Sequence, residues 1–508
     1  MAKAKAGAAG RNVMAGALAL ALGCGAAMAE SWKTGASVSV RETYTDNVAL
    51  SSTGSRQSDW ITEIGPRFTL RGAGARLKAA FNYSISEVIH ANDSSRNFTN
   101  NTLGANANAE LVEKFLFLDA RASIAQSSLS AFGPVSTDVA NSTSNRSEVR
   151  SISLSPYVKG VLPAGLSYEL RNTFTTTSSD SAQLQTTRSN QWSGNLARSN
   201  AFGPFGWGLG YSSSKQSYTG RASNDSQRYN ASLFYSVDRQ IKLSASVGRE
   251  TNDFSGTDRS TSNHGFGIDW LPSDRTSVSA SRDQRFFGNG FRVQVSHRMP
   301  LSLFNVNYSR DVTTTSEALL AGVPVLVIPA DVAAFLAGVT DPAERAALID
   351  ALTRAGIIVP GIDQRLFSTE RVLVVRRLAG SFSLRGARNT LTATASRSET
   401  QSATSGIAFA DSLAGASVLN SNTLGLNWSH TLSPLTSLSA GLIRTHTSSD
   451  AAGSPTSNQA SLNLTLSSKL GVKTTGTLGL RHTTANGSGG VTGYQENALV
   501  GTLAYTFF

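Results

Sequence analysis

Three features of the sequence predict an all-β fold, a transmembrane antiparallel β-barrel. Apolar and polar residues alternate with a period of two along nearly the whole chain. Only 16% of the 508 residues are charged, well under the ~25% of an ordinary soluble protein. Tight turns alternate with long polar connections from one end to the other. In a soluble sandwich the apolar face of each strand would meet a second sheet. Here no run of helices follows to cover it, and lipid is the simplest cover.

The first residues read as an export signal. Lys3, Lys5 and Arg11 form a basic start, Val13 to Leu22 an apolar stretch too short to span a bilayer, and Ala27-Met28-Ala29 a small-x-small cleavage site. Residues 1–29 are thus expected to be a cleaved signal peptide and residues 30–508 the barrel. The single cysteine, Cys24, lies in this leader. Its context, Ala21-Leu22-Gly23-Cys24, is a partial lipoprotein box that competes with the Ala-Met-Ala site. With cleavage after Ala29, thiolate metal sites, disulfides and cysteine nucleophiles are excluded.

The strands follow in order. Leu116, Leu118, Ala120, Ala122 and Ile124 interleave with Phe117, Asp119, Arg121 and Ser123. Ile241, Leu243, Ala245 and Val247 interleave with Lys242, Ser244, Ser246 and Gly248. Phe291, Val293 and Val295 interleave with Arg292, Gln294, Ser296 and Arg298. Short connections such as 71–74, 112–114, 237–240, 271–275, 385–388 and 432–434 read as periplasmic turns. Long ones at 45–58, 126–146, 176–189, 213–227, 398–421 and 447–458 read as external loops. Pairing them gives about 22 strands, with 20 to 24 as the bounds, an even number with both ends in the periplasm.

One stretch departs from the alternation. Residues 315–367 are apolar and predict a partly helical external insert. Asp341-Pro342-Ala343-Glu344 is a helix start, Ala347, Leu348, Leu352 and Ala355 have helical spacing, and Gly356 is a stop. The spacing predicts a helix over 342–355, in either a lid or constriction, folded over the mouth or into the lumen, or a packed surface loop. At the C-terminus Leu499, Gly501, Leu503, Tyr505 and Phe507 share one face. Tyr505, Phe507 and Phe508 are the candidate assembly signal, with Phe508 one position out of phase.

Thr43-Tyr44-Thr45-Asp46-Asn47-Val48, Ser58-Asp59-Trp60, Gly65-Pro66, Asp341-Pro342 with Arg345, the Gly386 to Leu391 stretch and the aromatic end together resemble the outer-membrane proteins associated with the PEP-CTERM/exosortase system. Those proteins accompany exopolysaccharide gene clusters. The resemblance covers essentially the whole mature chain. It implies an outer-membrane location in a Gram-negative bacterium and a link to exopolysaccharide or biofilm-matrix production, and it supplies no catalytic residues.

The function expected is therefore a porin-like or export-linked barrel. The alternative is a structural or adhesive barrel that binds matrix polysaccharide without conducting it. An enzyme is not expected: the six histidines (His90, His264, His297, His430, His446, His482) show no metal-site spacing, and a Ser-His hydrolase cannot be read from serines this abundant. A plugged, energy-coupled receptor would need a globular plug before the first strand, whereas alternation begins near Ser37. No cofactor, metal or nucleic acid is expected. The expected partners are outer-membrane lipid and lipopolysaccharide, the barrel-assembly machinery and, through the resemblance, exopolysaccharide and its export components.

Two sets of side chains are singled out. Asp119, Arg121, Glu169, Arg171, Arg292 and Arg298 lie on polar faces and are candidates to line the lumen. Arg249, Arg282, Arg310, Arg397 and Arg444 end apolar faces on upward strands. By the period-two rule they point outward at the external rim, a girdle for lipopolysaccharide phosphates. A bulge at each rim would instead turn them into the mouth beside Glu250, Asp283 and Asp311.

Overall fold

A computed structural model describes residues 32–507, except 137, 139, 142, 182–183, 220–222, 255, 258, 316, 318–325, 328–358, 361–368, 405–410, 414–416 and 452. The expected signal peptide, the helix over 342–355 and Phe508 lie outside the described residues.

Twenty-two strands form one sheet. They are β1 (Lys33–Thr45), β2 (Asp59–Ala73), β3 (Leu77–His90), β4 (Phe98–Val112), β5 (Leu116–Ser128), β6 (Arg146–Leu162), β7 (Leu166–Ser179), β8 (Thr187–Phe202), β9 (Phe205–Tyr218), β10 (Asn224–Ser236), β11 (Ile241–Asn252), β12 (Arg259–Ser273), β13 (Thr276–Arg285), β14 (Gly288–Arg298) and β15 (Ser302–Thr313), then β18 (Leu373–Arg385), β19 (Asn389–Ser402), β20 (Val418–Ser433), β21 (Thr436–Ser449), β22 (Thr456–Lys469), β23 (Thr474–Ser488) and β24 (Tyr494–Thr506). Between β15 and β18, β16 (Leu326–Val327) and β17 (Val359–Pro360) make a separate two-residue ladder.

Each barrel strand pairs antiparallel with its neighbours in sequence, and β1 closes on β24 from Ser37↔Thr506 to Thr45↔Ala498. Closure leaves no edge of backbone polar groups facing hydrocarbon. Twenty-two strands about 4.8 Å apart, tilted roughly 40°, make a ring roughly 40–45 Å across.

The side-chain distribution is that of a soluble protein turned inside out. Val40, Trp60, Phe68, Leu170, Phe174, Trp192, Phe266, Leu424 and Leu503 are exposed on the outer wall, while Ser39, Thr43, Thr45, Ser151, Ser153, Thr175, Thr177, Ser461 and Thr483 are buried within. Small hydroxylated side chains satisfy one another across strands on the inner wall, as in Ser151–Thr177 at 2.9 Å and Ser461–Thr483 at 3.1 Å. Aromatic rings on the outer wall meet across strands near both ends, Tyr44 with Trp60 at 5.2 Å and Phe205 with Tyr235 at 4.8 Å. Such rings suit the two membrane–water interfaces.

Connections at one end are short, as at 203–204 and 237–240, and those at the other end run to 129–145 and 314–372. Short turns mark the periplasmic end. One external connection differs from expectation. The segment 213–227, read as a loop, is mostly strand, with only 219–223 between β9 and β10. Between β13 and β14 the external connection is only Phe286-Phe287. Strands reach 17 residues in β6, beyond the ~9–11 a bilayer requires. Above the membrane both faces of a strand meet water, so Ser- and Thr-rich ends without alternation stay paired.

Candidate functional site

The connection between β5 and β6 folds into the barrel. Its stem closes on Asn145, whose Oδ1 accepts from the Ser130 backbone N–H (2.7 Å) while Nδ2 donates to the Ser130 carbonyl (3.0 Å). Beyond this stem the loop docks on distant strands. Ala131 and Phe132 pack against Leu373, Val375, Leu413 and Leu419. The Val135 carbonyl accepts from Gln459 Nε2 (2.8 Å) and from the Tyr494 hydroxyl (3.2 Å). Ala140 is buried with Val48, Ile61 and Val88.

Asp138 is the anchor. Its own turn orients it: the Asp138 N–H donates to Ser136 Oγ (2.9 Å), and Asp138 Oδ1 accepts from the Ala140 N–H (3.1 Å). Arg41 of β1 donates to both carboxylate oxygens, at 2.8 and 2.5 Å, and Arg481 of β23 pairs with Oδ2. Each guanidinium has a second acid on its own wall, Glu63 for Arg41 at 3.5 Å and Glu496 for Arg481 at 2.8 Å. Asn141 bridges the set, donating to Glu496 Oε1 (2.9 Å) and accepting from Arg481 (3.2 Å). Arg41 and Arg481 face inward because they alternate with outward-facing Val40 and Leu480. Burial alone would raise the Asp138 carboxyl's pKa. The guanidiniums of Arg41 and Arg481 outweigh it and hold the group well below the usual carboxylate range.

Other external loops interlock above this anchor. The Gln185 N–H donates to Glu370 (2.6 Å), Arg371 pairs with Asp411 (2.8 Å), and the Ala131 N–H donates to Ser412 Oγ (2.9 Å). The outer part of the lumen is therefore crossed by chain held through charge and hydrogen bonds.

The six lumen candidates all lie on inward faces. Asp119 and Arg121 stand in register with the buried Ser155 and Ser153. Arg171 pairs with Asp119 at 2.6 Å and Glu169 at 3.1 Å, its guanidinium 3.7 Å from the Tyr157 ring. Arg292 pairs with Asp311 at 3.3 Å, and Arg298 shares its face near the periplasmic end. Sequence reasoning missed Arg285, which joins Glu250 (2.8 Å) to Asp311 (3.1 Å) on the same wall. It also missed the Asp138 anchor. Arg41 and Arg481 carried one usable signal, their place on the polar face of a strand; the Ser/Thr-rich loop carried none.

The five rim arginines point outward. Arg249 alternates with buried Glu250, Arg282 stands in register with exposed Phe266, Arg310 with Phe291, Arg397 with Leu378, and Arg444 with Leu424. The register shifts between Glu110 and Val112, Arg198 and Phe202, Trp270 and Ser273, and Thr431 and Ser433 all lie at periplasmic strand ends. No bulge among the described residues turns these arginines inward. At the C-terminus, the Phe507 ring stands edge-on to Tyr505 at 5.1 Å on the outer wall.

No group of three or more His, Cys, Asp or Glu among the described residues could hold a metal ion. A closed 22-stranded ring with a lipid-compatible outer wall and a polar lumen defines a large outer-membrane β-barrel protein. Solved structures of such proteins resemble it. The FrpB iron transporter of Neisseria meningitidis (F3-3 variant) aligns over 93% of this chain and 81% of its own, with 10% identity and a TM-score of 0.50. The siderophore receptor PirA of Pseudomonas aeruginosa aligns over 94% and 80%, with 8% identity and a TM-score of 0.47. OpdK of Pseudomonas aeruginosa, solved with vanillate, aligns over 93% and 99%, with 11% identity and a TM-score of 0.37. At these identities the likeness is one of fold. No protein-family model matches the chain, and no curated protein matches it.

Proposed function

We propose that the protein is a non-enzymatic, porin-like or export-linked conduit of the outer membrane, that the loop 129–145 governs passage through it, and that it serves exopolysaccharide production. The observation that carries the conduit reading is the Asp138 anchor: a loop drawn into the lumen and clamped to Arg41 and Arg481. Such a loop narrows a lumen that the strand number makes wide. Ion-paired Arg171, Arg285 and Arg292 beside Ser and Thr offer a hydrated wall with donors and acceptors for a polyhydroxylated solute. The polysaccharide link is supported by the resemblance that the Thr43 to Val48 and Ser58 to Trp60 motifs carry.

The experiment is single-channel conductance in planar bilayers, comparing wild type with a protein whose residues 131–144 are replaced by a Gly-Ser linker. Conductance should rise in the shortened protein. The interlocking of Glu370, Arg371, Asp411 and Ser412 with neighbouring loops favours a second reading, a capped barrel that binds polysaccharide at its surface. Absence of conductance in both proteins, with polysaccharide retained on whole cells, would establish that alternative.

A further inference from the structure

The outward arginines are unevenly placed, and one group of them forms a row. Ladder register sets Phe266, Arg282, Phe291, Arg310, Arg376 and Glu399 side by side on the outer wall across β12, β13, β14, β15, β18 and β19. Arg397, two residues down β19 from Glu399, points the same way and pairs with it at 2.9 Å. Arg376 pairs with the same carboxylate at 3.3 Å. Two guanidiniums thus share Glu399, while Arg282 and Arg310 bond to neutral oxygens of the β13–β14 connection and β14. Arg310 and Arg376 are direct cross-strand partners, a like-charge pairing that is unfavourable unless offset by anions. Glu399 offsets Arg376, whereas Arg310 bonds to backbone carbonyls.

The row is also pre-organised. Arg376 Nε donates to the Tyr308 hydroxyl (2.9 Å). Arg310 donates to the carbonyls of Asn289 (3.0 Å) and Phe287 (3.2 Å). Arg282 donates to Asn289 Oδ1 (3.0 Å) and lies over the Phe291 ring. Each guanidinium carries five N–H donors, so these bonds leave others for a ligand. From Arg282 to Arg376 is three strand spacings, roughly 14 Å. The row sits near the external strand ends, where the membrane presents headgroups. On the β1–β3 arc the outward charged side chains toward the external end are acidic: Glu42 accepts from Thr62 and Glu87 from Thr99.

We propose that Arg282, Arg310, Arg376 and Arg397 form a phosphate-binding cradle for a phosphorylated glycolipid of the outer leaflet, the lipid A moiety of lipopolysaccharide. Two phosphates on a sugar headgroup match a row of guanidiniums this wide, and the acyl chains lie along the apolar wall below. Arg249 and Arg444 face the same leaflet outside this row.

Native mass spectrometry of the purified barrel, titrated with bisphosphorylated lipid A, tests this. Arg310→Ser/Arg376→Ser should weaken binding by about tenfold or more. Arg249→Ser/Arg444→Ser should change it little. Arg310→Lys/Arg376→Lys, which keeps the charge and loses the fork, should fall between. Heat-modifiable migration on gels establishes that each variant is folded, and the single Arg376→Ser substitution serves if the double variant is not. Wild-type affinity in the folded serine variant, equal losses in the two serine pairs, or equal competition by phosphatidylglycerol would overturn the cradle.

Discussion

Asp138 and Arg41 lie 97 positions apart in the sequence and meet inside the barrel in a two-pronged ion pair of 2.8 and 2.5 Å. The contact joins a loop apex to the first strand of the wall. Because Arg481 grips the same carboxylate from β23, one side chain spans the β24–β1 seam and ties its two flanks to the loop.

The anchor should respond unequally to loss of its members. Without Asp138, Arg41 retains Glu63 and Arg481 retains Glu496. Without Arg481, Asp138 and Glu496 remain buried with too few counter-charges, and breaking a buried pair in this way costs about 3–5 kcal/mol. Arg481→Met should therefore lower the temperature at which the barrel loses its folded gel mobility more than Asp138→Asn does. Asp138→Asn should mainly free the loop, seen as increased open-channel noise. An equal fall in temperature for the two variants would count against this arrangement.

The clamp should hold in mild acid. The Asp138 carboxyl is held below the usual carboxylate range. Its contribution is therefore fully present above that range and is lost only as pH falls through the depressed value. Protease protection of residues 129–145 should be the same at about pH 5 as at neutrality. A wild-type transition near the ordinary carboxylate range, absent from Asp138→Asn, would contradict the pairing.

Closure between first and last strands can be trapped chemically. Val40 and Leu503 are register partners across the seam, at a separation of about 4.5–5.5 Å that a disulfide can bridge. Val40→Cys/Leu503→Cys should cross-link under mild oxidation and stay compact when boiled without reductant. Val40→Cys/Tyr505→Cys, offset by one diagonal at roughly 7–8 Å, should cross-link far less. Reversed yields would mean a shifted seam.

Deleting the insert should spare the barrel. β15 and β18 pair directly up to Thr313↔Leu373. Just beyond, Thr315 Oγ donates to the Thr369 carbonyl (2.7 Å) and accepts from the Thr369 N–H (3.2 Å). The ends of the segment are thus already stitched together, and replacing residues 318–366 by a short Gly-Ser linker should leave heat-modifiable migration intact. An aggregated or protease-sensitive product would show that the insert supports the wall. Conductance of the same variant separates a lid, which would release current, from a surface loop.

The sequence by itself determined the barrel, its strand number and the direction of its side chains. Period-two alternation is a local property: once Leu243, Ala245 and Val247 face lipid, Arg249 must face outward and Glu250 inward unless a bulge intervenes. Strand ends were less legible, because above the bilayer a Ser- and Thr-rich segment pairs without alternating, as at 213–218 and 224–227. Only the tertiary structure decided which loop enters the lumen and what it grips. Asp138 sits among serines and threonines with no periodicity around it, and its partners come from β1 and β23. The row from Arg282 to Glu399 was decided in the same way, since ladder register across β13 to β19, and not position in the chain, sets Arg376 beside Arg310. Pairing of that kind is fixed by how the ring closes, which depends on every strand at once.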